Sequence, residues 1–433
     1  MLARIGRAYF MRRRLERSEN DVLGEKAGMA DSFDIAVIGG GLVGAATALG
    51  AARQGWSVVL IDAGADHSTV ENDKPPTDIE DFDLRVSALS PASVRLLSAL
   101  GAWQVLPASR LCQYQSMVVW DGEGTGHIEF NALEMQAPEL GTLVENRCIV
   151  RALMSQLKDT HAHILAGQPV TGWAPSDMGQ DSILTLGNDE RLSANLVIAA
   201  DGARSWLRQR AGLPTLEWDY NQRAIVCTVE TEKPHNDTAW QRFSEYGPLA
   251  FLPLADAQGN GRFCSIVWSQ DTDEAERLLG LDDDRFKAEL ESALESKLGA
   301  IVSVTRRVSF PLRQISAKSY TRPGLAVIGD AAHAIHPLAG QGANLGFADV
   351  DALLQELERA RGRRLRACDQ EVLGRYERRR KADNLTMMAA MEGFKRLFGT
   401  AAPGWVLLRN EGLRFMNRQS ALKHQLAKQA MGL

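Results

Sequence analysis

The clearest pattern in the chain begins at Phe33, where FDIAVI is an apolar run with almost no polar alternation. Such a run suits a strand covered on both faces, as in a parallel sheet. It breaks at three glycines, resumes as the small-residue stretch LVGAATALGAARQG and ends in a second apolar run, SVVLID. Strand, glycine turn, helix and strand make a βαβ unit. Two later segments, LSANLVIAADGARSWLR and GLAVIGDAAHAIHP, each place an apolar strand ahead of a turn. Both are expected to return to the same layer, so that this layer is discontinuous in sequence.

A different pattern fills the intervals. From about Cys112 to Phe130, and again from about Trp218 to Val308, segments such as AIVCTVETE, LAFLPL and RFCSIVWS are rich in β-branched and aromatic residues. They predict a mostly antiparallel second sheet that forms the substrate side. The string DGEGTGHIEF lacks a buried strand before it and a small-residue helix after it, so it reads as a hairpin turn. ENDKPPTDIEDFD reads as an acidic loop ahead of a helix that starts near Ser90-Pro91, with Pro91 in the first turn. From about Asp349 the pattern is helical to the C-terminus, with charge-dense stretches such as RYERRRK. The fold class is α/β: a Rossmann-type nucleotide-binding domain, an inserted mostly antiparallel β-sheet domain and a helical C-terminal region.

Length and charge narrow this further. A chain of 433 residues exceeds what one compact core serves well, so two closely packed domains are expected. A net charge of −5 speaks against a nucleic-acid partner. The five cysteines form no CxxC or Cys/His cluster, which argues against zinc or a disulfide framework and for reduced thiols in a cytoplasm. No apolar run approaches the length of a membrane span, so any membrane contact is peripheral, on the inner face. Residues 1–28 carry six arginines and no secretory apolar stretch; they read as a disordered basic leader, with Met29 as an alternative start, or as a basic arm for anionic lipid.

The chemistry starts at the glycine turn. Gly39, Gly41 and Gly44 form a GxGxxG fingerprint, which allows a tight turn, close approach of backbone to a pyrophosphate and tight packing of helix on strand. Asp62 ends the second strand, where an acid can accept hydrogen bonds from an adenosine ribose. The acid favours FAD or NAD over NADP. Only one such fold is present, so a nicotinamide working beside a bound flavin would visit transiently.

With these residues in place, the chain resembles the aromatic-ring flavin hydroxylases built like para-hydroxybenzoate hydroxylase. That family pairs the fingerprint with a DG motif, matched by Asp201 and Gly202, and a GD motif, matched by Gly329 and Asp330. The resemblance implies that the first lies near the cofactor pyrophosphate and is linked to nicotinamide use, and that Asp330 hydrogen-bonds the ribityl chain of FAD. In HPLAGQGANLG, Pro337, Gly340 and Gly342 would bring backbone N–H groups at a helix start against the flavin, and Asn344 would add a side-chain amide. More narrowly, FDLRVSALS, IHPLAGQGANLGFAD and the ending KQAMGL make the chain similar to the ubiquinone-biosynthesis hydroxylases of the VisC type, the 2-polyprenylphenol hydroxylases, from Met29 to Leu433. Arg85 carries over as a residue near the flavin. One position departs from the family: where many members have an Arg ahead of a helix, this chain has Asn146, a neutral hydrogen-bonding group.

The resemblance divides the chain into the leader 1–28, FAD-binding parts at 29–111, 141–215 and 316–360, substrate parts at 112–140 and 216–315, and a helical region at 361–433. It implies a monooxygenase in which NAD(P)H reduces FAD, O2 gives a flavin C4a-hydroperoxide, and a polyprenylphenol takes the oxygen atom. No catalytic side chain is assigned. His333 and His336 are acid–base candidates that fit packing roles better. An apolar tunnel is expected under the second sheet, with aromatic residues between Trp240 and Trp268 as candidate walls, although each of them singly fits a core position better. A lipid-borne substrate implies contact with a membrane or with proteins of a ubiquinone-biosynthesis complex. The segment from Trp405 onward, apolar on one stripe and basic around it, is the candidate for such contact. Alternatives are a hydroxylase of another ring position or of a soluble aromatic, a reductase of isoprenoid double bonds, and a non-catalytic flavoprotein subunit.

Overall fold

Strand Asp31–Ile38 lies at the centre of a mixed sheet in a computed structural model that describes residues 31–65, 74–175, 181–334, 341–398 and 410–412. It pairs in parallel with Val58–Asp62 on one side and Arg191–Ala199 on the other. His163–Ala166 and Leu325–Val327 extend the parallel array outward. Numbered along the chain, these five strands run 3-2-1-4-5, the order of a dinucleotide-binding sheet. Both segments expected to return to this layer do so, through Leu196↔Ile35 and Ala199↔Val327.

The sheet is apolar because both faces are covered. Helices Leu42–Arg53 and Asn146–Lys158 pack on it, as do the later Gln341–Gly362 and Gln370–Phe398. Small residues in Leu42–Arg53 permit the close contact: a Cβ at Gly50 would lie 2.2 Å from Leu354 Cδ1. The C-terminal helical pattern starts earlier than its charge density suggested, at Gln341. The leader and most of the segment from Trp405 lie outside the described residues. Among the described residues no helix is long and apolar enough to cross a membrane.

The second sheet has nine strands, ordered 333–334, 308–317, 215–231, 263–271, 247–253, 238–244, 116–121 and 127–131, with 301–304 also pairing on 215–231. All neighbours are antiparallel except Thr238–Ser244 with Ser116–Asp121. DGEGTGHIEF is the hairpin of Ser116–Asp121 and His127–Asn131. One face packs Ile225, Phe251, Ile266 and Trp268 against Leu278, Phe286 and Leu290 of helices Thr272–Leu279 and Asp283–Ala293. The opposite face is turned toward the parallel sheet.

Cys112–Tyr114, read as the start of this second sheet, belongs instead to a small third sheet with Gly141–Glu145 and Val86–Leu89. The cause is a change of partner at Gln115, whose N–H turns to Asp237 O at 2.8 Å. Beside this small sheet, the buried Arg110 donates to Glu145 Oε2 at 2.9 Å and to the carbonyls of Lys74 and Asp81 at 2.8 Å. The acidic loop is thereby pinned to the body of the protein.

Candidate active site

Where the two sheets face one another, a half-open cavity of about 1390 Å³ lies between them. Ligand pockets commonly span roughly 300–1,000 Å³, so this one has room for a dinucleotide and a second molecule. Of the residues singled out in the sequence, the structure brings Gly41, Arg85, Asn146, Gly202, Asp330 and Gly342 to its wall. Pro337, Gly340 and His336 lie outside the described residues.

The glycines of the fingerprint divide by task. Gly39 has a φ of +108°, and a Cβ there would lie 2.4 Å from Ala200 O. A Cβ at Gly44 would lie 1.8 Å from Gly39 O. Both therefore let backbone pack on backbone. At Gly41 a Cβ would meet nothing within 4 Å, and the same holds at Gly202 and Gly342. These three leave space on the cavity side, where a ligand can approach the main chain.

Asp62 stands half-buried behind the turn and accepts hydrogen bonds from the N–H groups of Gly40 and, at 2.6 Å, Gly64. A carboxylate has about four acceptor positions, so two remain for another donor. Asp201 caps the short helix Trp206–Arg210 through Leu207 N at 3.2 Å, while its Oδ1 is buried without a partner. Asn344 was expected to offer its amide to a bound ring. Its Oδ1 instead accepts from Ser90 N at 2.9 Å and Ser93 Oγ at 2.7 Å, and its Nδ2 donates to Ala88 O at 2.8 Å. The amide locks helix Gln341–Gly362 to the turn after strand Val86–Leu89, and the adjoining Gly342 and Ala343 face the cavity.

Asn146 accepts from Ser87 Oγ at 2.6 Å and stays on the wall. The positive charge that its family position often carries is supplied next to it. Arg147 and Arg151, one turn apart, both line the cavity, and Arg147 is braced by Glu145 at 2.7 Å. Six arginines and three carboxylates reach the wall in all, so its field favours an anionic ligand. Arg85 lies 5.6 Å from the ring centroid of Phe310, joining the polar end to the second sheet.

The GD loop rests on a buried polar network. Gly329, at φ +57°, donates its N–H to Asp349 Oδ2 at 2.9 Å. The same carboxylate takes His333 Nε2 at 2.5 Å and Arg380 Nε at 2.6 Å, and Arg380 reaches Asn384 at 2.7 Å. Burial alone would raise the Asp349 carboxyl, but the charges and hydrogen bonds of His333 and Arg380 outweigh it and hold the group below the usual carboxylate range. His333 thus has its Nε2 committed to Asp349. Asp330 opens into the cavity, where desolvation pushes its carboxyl above the usual range against the pull of His333 and Arg85.

Two features escaped the sequence reading. Arg208 is buried and donates to Ala331 O at 2.8 Å and Ala203 O at 3.0 Å, tying the DG loop to the GD loop. Its position six residues after Gly202 was the available signal. The other is the opposite wall, where Ala224, Val226, Leu252, Val267, Phe310 and Leu312 present an almost wholly aliphatic surface. Trp240 and Trp268, weighed as walls but better suited to a core, pack on the helix-covered face. Strand alternation sends Val267 and Trp268 to opposite faces.

Comparison with known proteins agrees with this arrangement. A family model described as an FAD binding domain matches residues 32–390. The 3-demethoxyubiquinol 3-hydroxylase of Escherichia coli (strain K12) is 38% identical over 400 residues, covering 92% of this chain and 98% of that protein. The mitochondrial ubiquinone biosynthesis monooxygenase COQ6 of Danio rerio is 36% identical, covering 91% and 88%. The ubiquinone hydroxylase UbiL of Rhodospirillum rubrum is 35% identical, covering 94% and 92%. Among solved structures, PqsL of Pseudomonas aeruginosa, described as a probable FAD-dependent monooxygenase, superposes with a TM-score of 0.72 at 19% identity, covering 89% of this chain and 100% of that one. The p-nitrophenol 4-monooxygenase PnpA of Pseudomonas putida DLL-E4 gives 0.73 at 18%, covering 92% and 97%. At such identities the structures speak for the fold, whereas the curated relatives match nearly end to end. The chain belongs to the FAD-binding family of aromatic-ring monooxygenases that includes the ubiquinone-biosynthesis hydroxylases.

Proposed function

We propose that this protein hydroxylates the aromatic ring of a polyprenylphenol intermediate of ubiquinone biosynthesis, using FAD, O2 and a transient NAD(P)H reductant. The observation that carries the reading is the junction of two unlike walls in one cavity. Open glycines and arginines form one side, and the aliphatic face of the second sheet forms the other.

The residues present suit FAD. Gly41, Gly202 and Gly342 leave the main chain accessible, Asp201 Oδ1 is a buried acceptor without a partner, and the arginines suit a pyrophosphate. Asp62 keeps acceptor capacity for the ribose, and Asp330 faces the cavity for the ribityl hydroxyls. When bound and reduced by a nicotinamide, the flavin supplies activation of O2, one oxygen atom going to the ring and the other leaving as water. The protein then has to orient the phenol and exclude water. Ala224, Val226, Val267 and Leu312 provide an unreactive surface, and Phe310 provides a flat one beside Arg85. No side-chain nucleophile or metal is assigned a part.

Purified protein should show a bound-flavin spectrum. NADH or NADPH oxidation should rise on addition of a short-tail prenylphenol, with a product heavier by one oxygen atom. Flavin without oxygenated product would defeat the hydroxylase reading, and failure to take up flavin on reconstitution would defeat the cofactor assignment as well.

A further inference from the structure

Leu216 and Trp218 are 60% and 62% exposed, although both belong to a regular strand. The long strand Thr215–Thr231 pairs over 215–219 with 313–317, and its pairing with Phe263–Asp271 starts only at Gln222. Its first residues therefore form a ribbon with one edge uncovered among the described residues. Alternation places Leu216 and Trp218 on one face and Glu217 on the other. Glu217 lines the cavity together with Arg313 and Ile315 of the partner strand. The two apolar side chains consequently stand on the outer surface of the cavity's own wall.

The charge around them is positive. Lys318 and Arg322 are exposed and sit on the segment bonded to the lead-in of the ribbon, through Lys318 N to Pro214 O at 2.8 Å and Arg322 to Gly212 O at 3.1 Å. Arg210 is exposed on the helix just before it. Of the nearby acids, Asp219 is paired with Arg313 at 3.0 Å, Glu217 is exposed at the cavity edge and accepts from Thr215 Oγ1 at 2.8 Å, and Glu377 is held by Ser319, Tyr320 N and Thr321 between the two basic residues. A tryptophan and a leucine with exposed cations on the adjoining segments match an anionic lipid interface, where indole rings settle at headgroup level and basic side chains meet lipid phosphates.

We propose that the ribbon at 215–218 docks on an anionic bilayer, seating Leu216 and Trp218 at the headgroup boundary beside the cavity. Its purpose rests on the reading of the substrate as a polyprenylphenol; the docking itself is independent of that reading. The test uses the full-length holoenzyme with phosphatidylcholine vesicles containing phosphatidylglycerol. Wild type should co-sediment in a salt-sensitive way, and the double variant Leu216→Ser/Trp218→Ser should bind about tenfold more weakly or worse. The double variant should still oxidise NAD(P)H with a water-soluble short-tail phenol and should lose turnover of a long-tail phenol held in vesicles. Brominated lipids should quench wild-type fluorescence, and Trp218→Phe should lose that quenching while still binding. Unchanged vesicle binding by the double variant overturns the proposal, as does quenching that survives Trp218→Phe. Protection of Leu216 and Trp218 by another protein, without vesicle binding, also overturns it. If no phenol is turned over by wild type, the hydroxylase reading fails while the vesicle measurements still decide the ribbon.

Discussion

The two walls of the cavity are made of different material. On the parallel-sheet side the contact surface is main chain, exposed at Gly41, Gly202 and Gly342, where a Cβ would meet no protein atom. On the second-sheet side it is mainly aliphatic side chain, from Ala224, Val226, Leu252, Val267 and Leu312, with Phe310 and Ser265 among them and Glu217 and Arg313 at one end. A backbone surface forces the residue type, because only glycine lets a ligand reach the amides. An aliphatic surface asks only for volume and apolarity, which many combinations supply. On the proposed reading, the end that takes the cofactor is therefore fixed in identity, and the end that takes the substrate can be reshaped without disturbing it.

The largest effects should come from the support behind the glycine wall. Asp349→Asn removes the charge that holds His333, Arg380 and the Gly329 amide, and should lower stability by about 3–5 kcal/mol. The folded carboxyl lies below its unfolded value, so its contribution is fully present above about pH 4 and is lost as pH falls through the folded value. Denaturant titrations should show the gap between wild type and variant constant near neutrality and shrinking in acid. Gly44→Ala comes next, at about 3 kcal/mol, because the new methyl meets a carbonyl oxygen of the Gly39 turn that cannot withdraw. Thermal unfolding should register it even in protein stripped of flavin.

The parallel half of the fold was legible because its signals are strong. Unbroken apolar runs, a glycine turn and a terminal acid specify strand, turn and helix, and both returning strands were visible as apolar runs ending in DG and GD. The half-legible positions were those where a polar side chain has several partners to choose from. Asn344 sits at the expected helix start, yet three hydrogen bonds to residues 88–93 draw its amide away. Nothing local distinguishes that outcome from a ligand contact. Arg208 bridges two loops more than a hundred residues apart, which periodicity cannot register. The second sheet was legible as strands, but its inward face was not. The cavity is lined by Glu217 near the start of the long strand and by Ala224 and Val226 beyond its irregularity at Asp219–Gln222, positions of opposite parity, so alternation counted from its start assigns the wrong residues to the cavity. Aromatic content pointed to Trp240 and Trp268, and those side chains satisfy the helix-covered core.

Two substitutions made on the cavity surface itself test whether the walls are separable. Gly41 is the N-cap of its helix, extended and with open space at Cβ, so Gly41→Val should cost the apoprotein no more than about 1 kcal/mol. It fills the space a pyrophosphate needs, and flavin affinity should fall by about a hundredfold, near 3 kcal/mol. Calorimetry of apoprotein checks the first effect and equilibrium dialysis against FAD the second. Val226→Phe makes the smallest change, on the far wall. Val226 is half-buried at the cavity surface, so the larger ring has room and the fold should hold. The loss of substrate space should raise KM for a prenylphenol about tenfold, with flavin content and spectrum as in wild type. Retained flavin with a raised KM is what independent walls require. Loss of flavin from Val226→Phe would mean that the aliphatic face also positions the cofactor, and the division between a fixed end and an adjustable end would have to be redrawn.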